Sequence, residues 1–110
     1  MTFGIIGSGA FGTALSISLS STNKKLILWT RNQDVVNSVQ EIRENRLRLP
    51  GYILPQNIIV TNDINQMENC SIILIAVPMQ QLRSVVELHR SRLEGKILVA
   101  CCKGFEVSTG

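Results

Sequence analysis

The sequence predicts an α/β protein in which a doubly wound parallel sheet carries helices on both faces. Three observations lead to this fold class. Short apolar segments alternate along the chain with segments of helical periodicity. The segment 70–77 (CSIILIAV) is almost wholly apolar, which is typical of a strand buried on both faces of a parallel sheet. The first apolar segment runs into a Gly-x-Gly-x-x-Gly turn at residues 7–12.

Each element follows from its local pattern. Strands are predicted at residues 2–6, 25–30, 58–61, 70–77 and 96–101, and helices at 10–21, 63–69 and 80–92. A further helix begins at a cap supplied by Asn32 or Asp34 and has Val35, Val36, Val39 and Ile42 as its apolar stripe. The segment 43–57 is irregular, with Pro50, Gly51 and Pro55 as breakers. This order predicts strands arranged 3-2-1-4-5, with a ligand crevice outside the carboxyl ends of strands one and four.

The glycine turn predicts dinucleotide binding. Gly7 allows the tight turn after the strand, Gly9 lets a pyrophosphate approach the backbone, and Gly12 lets the helix pack close to the sheet. The helix that follows directs its N–H groups and the positive end of its dipole at the phosphates. The alternative is a turn whose glycines serve close packing alone.

Composition excludes several classes of protein. The chain has 110 residues, 45% of them hydrophobic and 17% charged, as expected for one ordered domain. Its net charge of +3 comes from scattered basic residues without interleaved aromatics, so a phosphate-bearing ligand is a better partner than nucleic acid. The longest apolar run, 72–77, is too short to span a membrane, and no basic leader precedes the first strand.

Cysteine and histidine usage predicts a cytoplasmic protein without a metal site. Cys70, Cys101 and Cys102 form no CxxC pair and are expected to be reduced and buried. His89 is the single histidine, and it is expected on a helix surface or at an interface. The basic cluster of Arg43, Arg46 and Arg48 flanks an irregular loop near the cofactor side and is expected on a solvated or inter-domain face, with a binding site as the alternative.

The strand ends supply candidate binding residues. Arg31 follows strand two, where a site for NAD usually carries an acid, and an arginine there favours the 2′-phosphate of NADP or use of both cofactors. Val77 and Pro78 end strand four, where small apolar residues would let the nicotinamide half lie along the backbone. Lys103 follows strand five, where an ammonium can neutralise a phosphate or polarise a carbonyl. The alternatives are solvated surface residues at Arg31 and Lys103 and a plain strand terminator at Pro78.

Five segments together resemble the amino-terminal domain of bacterial NAD(P)-dependent glycerol-3-phosphate dehydrogenase. They are residues 7–15 (GSGAFGTAL), 28–31 (LWTR), 49–58 (LPGYILPQNI), 77–80 (VPMQ) and 103–110 (KGFEVSTG). The loop 49–58 is the most specific of them. The resemblance implies a Rossmann-type dinucleotide-binding domain over residues 1–110. It also implies that this domain ends before a helical carboxyl-terminal domain that carries the general acid/base lysine and most of the substrate site.

The resemblance also implies the roles of individual residues. The cofactor, NADP or NAD, would be held by Gly7, Ser8, Gly9, Ala10, Phe11, Gly12, Arg31, Val77, Pro78 and Lys103. Lys103 would be the catalytic residue, touching both the cofactor and glycerol phosphate. Two positions depart from the family pattern: Arg48 stands where an aromatic usually precedes LPG, and Phe105 replaces a small aliphatic residue.

The implied reaction is reversible hydride transfer between NAD(P)H and dihydroxyacetone phosphate or sn-glycerol 3-phosphate, which feeds glycerophospholipid synthesis in the cytoplasm. The partners would be a small-molecule substrate and a second copy in a homodimer, but neither nucleic acid nor a membrane. The sheet edge, exposed without the missing domain, would favour association or aggregation. Alone, residues 1–110 would bind cofactor weakly and catalyse little. The alternatives are another NAD(P)-dependent dehydrogenase of similar fold, a non-catalytic nucleotide-sensing module and a methyltransferase. The last two usually need an acid at the end of strand two, where this chain has Arg31.

Overall fold

A computed structural model of the chain describes residues 2–7, 9–21 and 25–101. The strands are β1 (Phe3–Ile6), β2 (Leu26–Trp29), β3 (Ile58–Thr61), β4 (Ile72–Ile75) and β5 (Ile97–Ala100). The helices are α1 (Ala10–Ser20), α2 (Gln33–Ile42), α3 (Met79–Leu88) and α4 (Arg90–Leu93), with a 3-10 helix at Ile64–Asn69 between β3 and β4.

The five strands form one parallel sheet in the order β3-β2-β1-β4-β5. Ile6 at the end of β1 lies between Trp29 of β2 and Ile75 of β4. The winding therefore reverses between β1 and β4, and the carboxyl ends of all the strands meet at one edge. This topology confirms the predicted doubly wound fold and the predicted strand order.

The core lies in two layers, one on each face of the sheet. The first layer packs α1 and α2 against β1, β2 and β3, and its buried members include Ile5, Leu28, Val35, Val39 and Leu54. The second layer packs the 3-10 helix, α3 and α4 against the other face, and its buried members include Ile6, Trp29, Met67, Ile75 and Leu93. Adjacent residues of β1 and β2 thus serve opposite layers, as the pleat of a strand requires.

Helix α1 packs on the sheet partly as its apolar spacing predicts. Of the predicted inward residues Phe11, Ala14, Leu15 and Leu19, only Ala14 is exposed, and the other three pack partly buried against the first core layer. The fully buried positions are Gly12, Thr13, Ser16 and Ser20. The buried hydroxyl of Ser16 donates to the carbonyl of Thr13 at 2.7 Å, so its polar group is satisfied within the helix. Small residues on this face let the helix axis approach the sheet closely.

The predicted helix over residues 80–92 is divided into α3 and α4. His89 separates them with φ −109° and ψ 20°, outside the helical region. The break turns the chain so that Leu93 is buried in the second layer of the core. Strands four and five are also shorter than predicted, because pairing stops at Ile75 and Ala100.

The prediction of a solvated or inter-domain face is wrong for Arg43. This residue ends α2 in the left-handed conformation (φ 55°), and its backbone N–H donates to Val39. Its guanidinium group donates to three backbone carbonyls, those of Leu54 (3.3 Å), Pro55 and Ile58 (2.9 Å). Arg43 therefore fastens the loop 44–57 to the start of β3, a role that the charge alone did not reveal.

Candidate functional site

A cavity of about 640 Å³ opens at the carboxyl edge of the sheet, where the winding reverses. It is bounded by the ends of β1, β2 and β4, the start of α1, the loop after α2, and α3. The lining residues are Gly7, Gly9, Ala10, Phe11, Trp29, Thr30, Arg31, Asn32, Leu47, Arg48, Ala76, Val77, Pro78, Gln81, Val85, Leu88 and His89. The cavity lies where parallel α/β sheets bind their ligands.

Two glycines of the turn are required by packing. Gly7 has φ +116°, and a Cβ there would lie 2.4 Å from the carbonyl oxygen of Ala76. A Cβ on Gly12 would lie 2.1 Å from the carbonyl oxygen of Gly7. Because both obstacles are backbone atoms, neither position accepts a side chain without a shift of the turn or of β4.

Gly9 differs from the other two glycines. It is exposed, its backbone is extended (φ −66°), and a Cβ there would meet nothing within 4 Å. Packing and backbone conformation therefore give no reason for glycine at this position. Gly9 lines the cavity, and the second glycine of such a turn is the one that lets a pyrophosphate approach the backbone.

The start of α1 is built for an anion. Gly9, the residue before the helix, has no side chain to cap it, and the first turn contains no acid. In contrast, α2 is capped by Asn32, whose side chain accepts from the N–H of Asp34 at 2.9 Å. The positive end of the α1 dipole therefore faces the cavity without a side-chain carboxylate to offset it.

The end of β2 presents Arg31 to the cavity. Thr30 continues the sheet, because its N–H donates to Thr61 at 2.9 Å, and its hydroxyl accepts from the N–H of Asn32 at 3.0 Å. Arg31, held between these two residues, is exposed and lines the cavity. None of the described lining residues is aspartate or glutamate, so this region carries positive charge only.

The end of β4 closes the opposite side. The N–H of Ala76 donates to Ile6 at 2.8 Å, which keeps the backbone of β4 against β1 up to the cavity. Val77 is buried, and Pro78 precedes α3 with φ −54°. This side of the cavity is apolar and held by the sheet.

Trp29 and His89 form a wall that the sequence did not predict. Their rings meet edge to face, with centroids 4.8 Å apart and planes at 74°. The indole Nε1 and the imidazole Nε2 are both buried without a hydrogen-bond partner among the described residues. Burial lowers the pKa of His89, which favours the neutral ring. His89 is half-buried on the cavity wall, and the sequence gave no signal for its contact with Trp29.

The structure brings most of the predicted site residues together. Those on the cavity are Gly7, Gly9, Ala10, Phe11, Arg31, Val77 and Pro78. Gly12 lies beneath the turn and does not line the cavity. Ser8, Lys103 and the segment 103–110 lie outside the described residues, as does Cys102. Arg48, assigned from sequence to a solvated or inter-domain face, lines the cavity instead.

The described residues give no support for two other kinds of site. Among residues 2–7, 9–21 and 25–101, no three histidine, cysteine, aspartate or glutamate side chains come together as metal ligands. Cys70 is buried, and its desolvation raises the pKa of the thiol. Within the same part of the chain, each helix is too short or too polar to cross a membrane.

A doubly wound parallel sheet, a glycine turn at its first crossover and a cavity at its switch point define a Rossmann-type domain. The family description "NAD-dependent glycerol-3-phosphate dehydrogenase N-terminus" matches residues 2–110. The chain therefore belongs to the family of amino-terminal domains of glycerol-3-phosphate dehydrogenase, as its motifs predicted.

Known relatives agree with this assignment. The chain is 44% identical over 110 residues to a glycerol-3-phosphate dehydrogenase [NAD(P)+] of Roseobacter denitrificans and 46% identical over 110 residues to one of a Ruegeria species. Each alignment covers 100% of this chain and 34% of the relative, so the chain spans about a third of the relatives' length. The crystal structure of glycerol-3-phosphate dehydrogenase from Coxiella burnetii superimposes with a TM-score of 0.82 at 28% identity, covering 90% of this chain and 31% of that one.

Proposed function

We propose that the cavity binds NADP or NAD and that residues 1–110 are the cofactor-binding domain of a glycerol-3-phosphate dehydrogenase. The observation that carries the proposal is the contrast among the three glycines of the turn. Gly7 and Gly12 are required by backbone packing, whereas Gly9 faces open space at the start of α1. A turn kept for packing alone does not need glycine at position 9, but a pyrophosphate on the helix N-terminus does.

Different residues would contact different parts of the cofactor. The backbone of Gly7, Ser8, Gly9, Ala10 and Phe11 would hold the pyrophosphate, while Gly12 keeps α1 close to the sheet. Arg31 would meet the adenosine ribose or its 2′-phosphate, where its guanidinium group has no nearby carboxylate on the cavity to pair with. Val77 and Pro78 would lie along the nicotinamide half, and Lys103 would touch both the cofactor and the substrate.

The proposed reaction reduces dihydroxyacetone phosphate to sn-glycerol 3-phosphate and runs in both directions. When bound, NAD(P)H would supply the hydride, and the general acid/base lysine implied for the carboxyl-terminal domain would supply the proton, whereas residues 1–110 bind and orient the cofactor. Lys103 would polarise the carbonyl oxygen as negative charge develops on it. The substrate is thus a small phosphorylated molecule. We further propose a cytoplasmic location, a role in glycerophospholipid synthesis and self-association to a homodimer.

Titration of the 110-residue chain with NADPH and NADH, read by calorimetry, tests cofactor binding. Gly9→Ala should keep the melting temperature of the wild-type chain, since the new methyl group meets no atom within 4 Å. It should lower the affinity for both cofactors about tenfold or more. Arg31→Gln should weaken NADPH more than NADH, by about tenfold for a lost charged hydrogen bond. Arg83→Gln is the matched control, since Arg83 is exposed on α3 and does not line the cavity.

Wild-type affinity in the Gly9 variant would contradict the assignment of the turn to a pyrophosphate. The reaction is tested by fusing this chain to the carboxyl-terminal two thirds of the Ruegeria relative. The fusion should oxidise NADPH when dihydroxyacetone phosphate is added, and Lys103→Met should slow that oxidation about 100-fold. A fusion that binds NADPH without oxidising it would contradict the assigned substrate.

A further inference from the structure

Two arginines, not one, face the cavity. Arg31 follows β2, and Arg48 lies in the loop between α2 and β3, where the family resemblance would place an aromatic. Both side chains are exposed, and neither guanidinium group has a hydrogen bond or ion pair to another described residue. With no carboxylate among the described lining residues, their two charges are uncompensated, which favours a ligand with more than one anionic group.

Arg48 is held near the start of α1 by a buried polar contact. The side-chain N–H of Asn45 donates to the hydroxyl of Thr13 at 2.9 Å, and both residues are 0% exposed. Thr13 belongs to the first turn of α1, since its own N–H donates to Gly9 at 3.0 Å. The side-chain oxygen of Asn45 accepts from the backbone N–H of Arg48 at 3.2 Å. One asparagine thus connects the backbone of Arg48 to the turn where α1 begins.

The other charged groups at this loop are either engaged elsewhere or away from the cavity. The guanidinium group of Arg43 donates to backbone carbonyls at Leu54 and Ile58. The carboxylate of Glu44 accepts from the N–H of Gly51 at 3.0 Å. Arg46 is exposed and does not line the cavity. Arg48 is therefore the basic side chain of the described loop that is positioned to act on a ligand.

We propose that Arg48 binds the pyrophosphate of the dinucleotide, from the loop tethered to the first turn of α1. The proposal rests on the proposed function and adds a contact to it. Arg31, at the end of β2, acts on the ribose or its 2′-phosphate, which distinguishes NADP from NAD. The pyrophosphate is common to both cofactors, so Arg48 raises the affinity for each of them without selecting between them.

The test compares Arg48→Gln, Arg31→Gln and Arg46→Gln in the 110-residue chain, titrated with NADH and with NADPH at low and high salt. Binding is read from the fluorescence of Trp29, the single tryptophan, which lies on the cavity wall. Arg48→Gln should lower the affinity for NADH and the affinity for NADPH by the same factor, about tenfold, and should make both affinities less dependent on salt. Arg31→Gln should affect NADPH more, and Arg46→Gln should match the wild-type chain.

Each other result has a distinct meaning. Unchanged affinity in Arg48→Gln, with its melting temperature preserved, overturns the proposal while the proposed function stands. A loss confined to NADPH overturns the pyrophosphate contact and assigns Arg48 to the 2′-phosphate. An equal loss in Arg46→Gln overturns it in favour of a general effect of net charge. If the wild-type chain binds neither cofactor, the proposed function fails first and the role of Arg48 fails with it.

Discussion

Strands β2 and β5 have similar sequences and opposite surroundings. Both contain four residues, LILW in β2 and ILVA in β5, and both pair in parallel with their neighbours. Every residue of β2 is buried, whereas Ile97, Leu98 and Val99 of β5 are 62%, 38% and 41% exposed. An apolar run therefore predicts that a segment forms a strand, while burial depends on what packs against that strand.

The difference comes from the neighbours. β2 lies between β1 and β3, with α1 and α2 over one face and the 3-10 helix and α3 over the other. β5 pairs with β4 alone within the part of the chain that the structure describes, and it lies at the sheet edge. Exposed apolar edges of this kind favour association with another strand.

The largest expected effect is a loss of stability when a buried leucine of β2 is shortened, compared with a leucine of β5. Leu28→Ala removes a side chain that is fully buried in β2 and should cost about 3 kcal/mol of unfolding free energy. Leu98→Ala in β5 should cost about 1 kcal/mol or less, since its side chain is already partly in water. Urea denaturation of the two variants measures both values. Equal losses would mean that β5 is covered in solution, for example by a second copy.

A smaller effect is expected at the loop that covers the β2 side of the sheet. Leu54 of this loop is buried in the same layer as Leu28, and Asn45 fixes the loop to α1 through Thr13. Asn45→Ala should cost about 1–3 kcal/mol, because it leaves the buried Thr13 hydroxyl without this donor. Asn65→Ala, at an exposed position, is the control and should change stability little. An Asn45 variant as stable as the control would contradict the anchoring role.

The smallest expected effect is a pH dependence of the unfolding free energy, caused by His89, which packs against Trp29 of β2. Burial lowers the pKa of His89 below its unfolded value, so the folded state binds fewer protons than the unfolded state. The unfolding free energy is therefore unaffected by His89 above pH of about 6.5, the unfolded pKa of histidine. It decreases as the pH falls from there through the folded pKa, because the unfolded state then binds the proton more readily. His89→Phe, which keeps a ring against Trp29, should flatten the unfolding free energy between pH 7.5 and 5.

Denaturation of the wild-type and His89→Phe chains at several pH values checks this prediction. An unchanged slope would assign the pH dependence to the carboxylates. A steeper slope in the variant would contradict the direction of the His89 shift.

The local sequence pattern predicted correctly those elements that bury residues at a regular spacing. The stripe of α2 and its Asn32 cap were confirmed, because a helix that covers a sheet buries residues at regular spacing. For α1 the same rule was partly right: Phe11, Leu15 and Leu19 pack partly buried against the core, but the fully buried positions are the small residues Gly12, Thr13, Ser16 and Ser20. Because α1 lies close to the sheet, only small side chains fit between them. The spacing of apolar residues carries no information about the distance between two elements.

Several of the residues that line the candidate cavity were named from the sequence. The glycine turn and the strand ends contain Gly7, Gly9, Arg31 and Val77, and the topology brings them to one cavity. His89 and Arg48 were missed as lining residues because their roles depend on contacts distant in sequence. His89 reaches Trp29 across the fold, and Arg48 is positioned through Asn45 and Thr13.

The sequence by itself determined the fold class, the strand order and the glycine turn of this protein. Each follows from interactions within a few residues or from the alternation of apolar segments. Tertiary structure alone decided that β2 is buried and β5 exposed, that Arg43 binds carbonyls, and that Arg48 faces the cavity. The physical reason is that burial and charge pairing are properties of neighbours in space, and the chain supplies those neighbours only after it has folded.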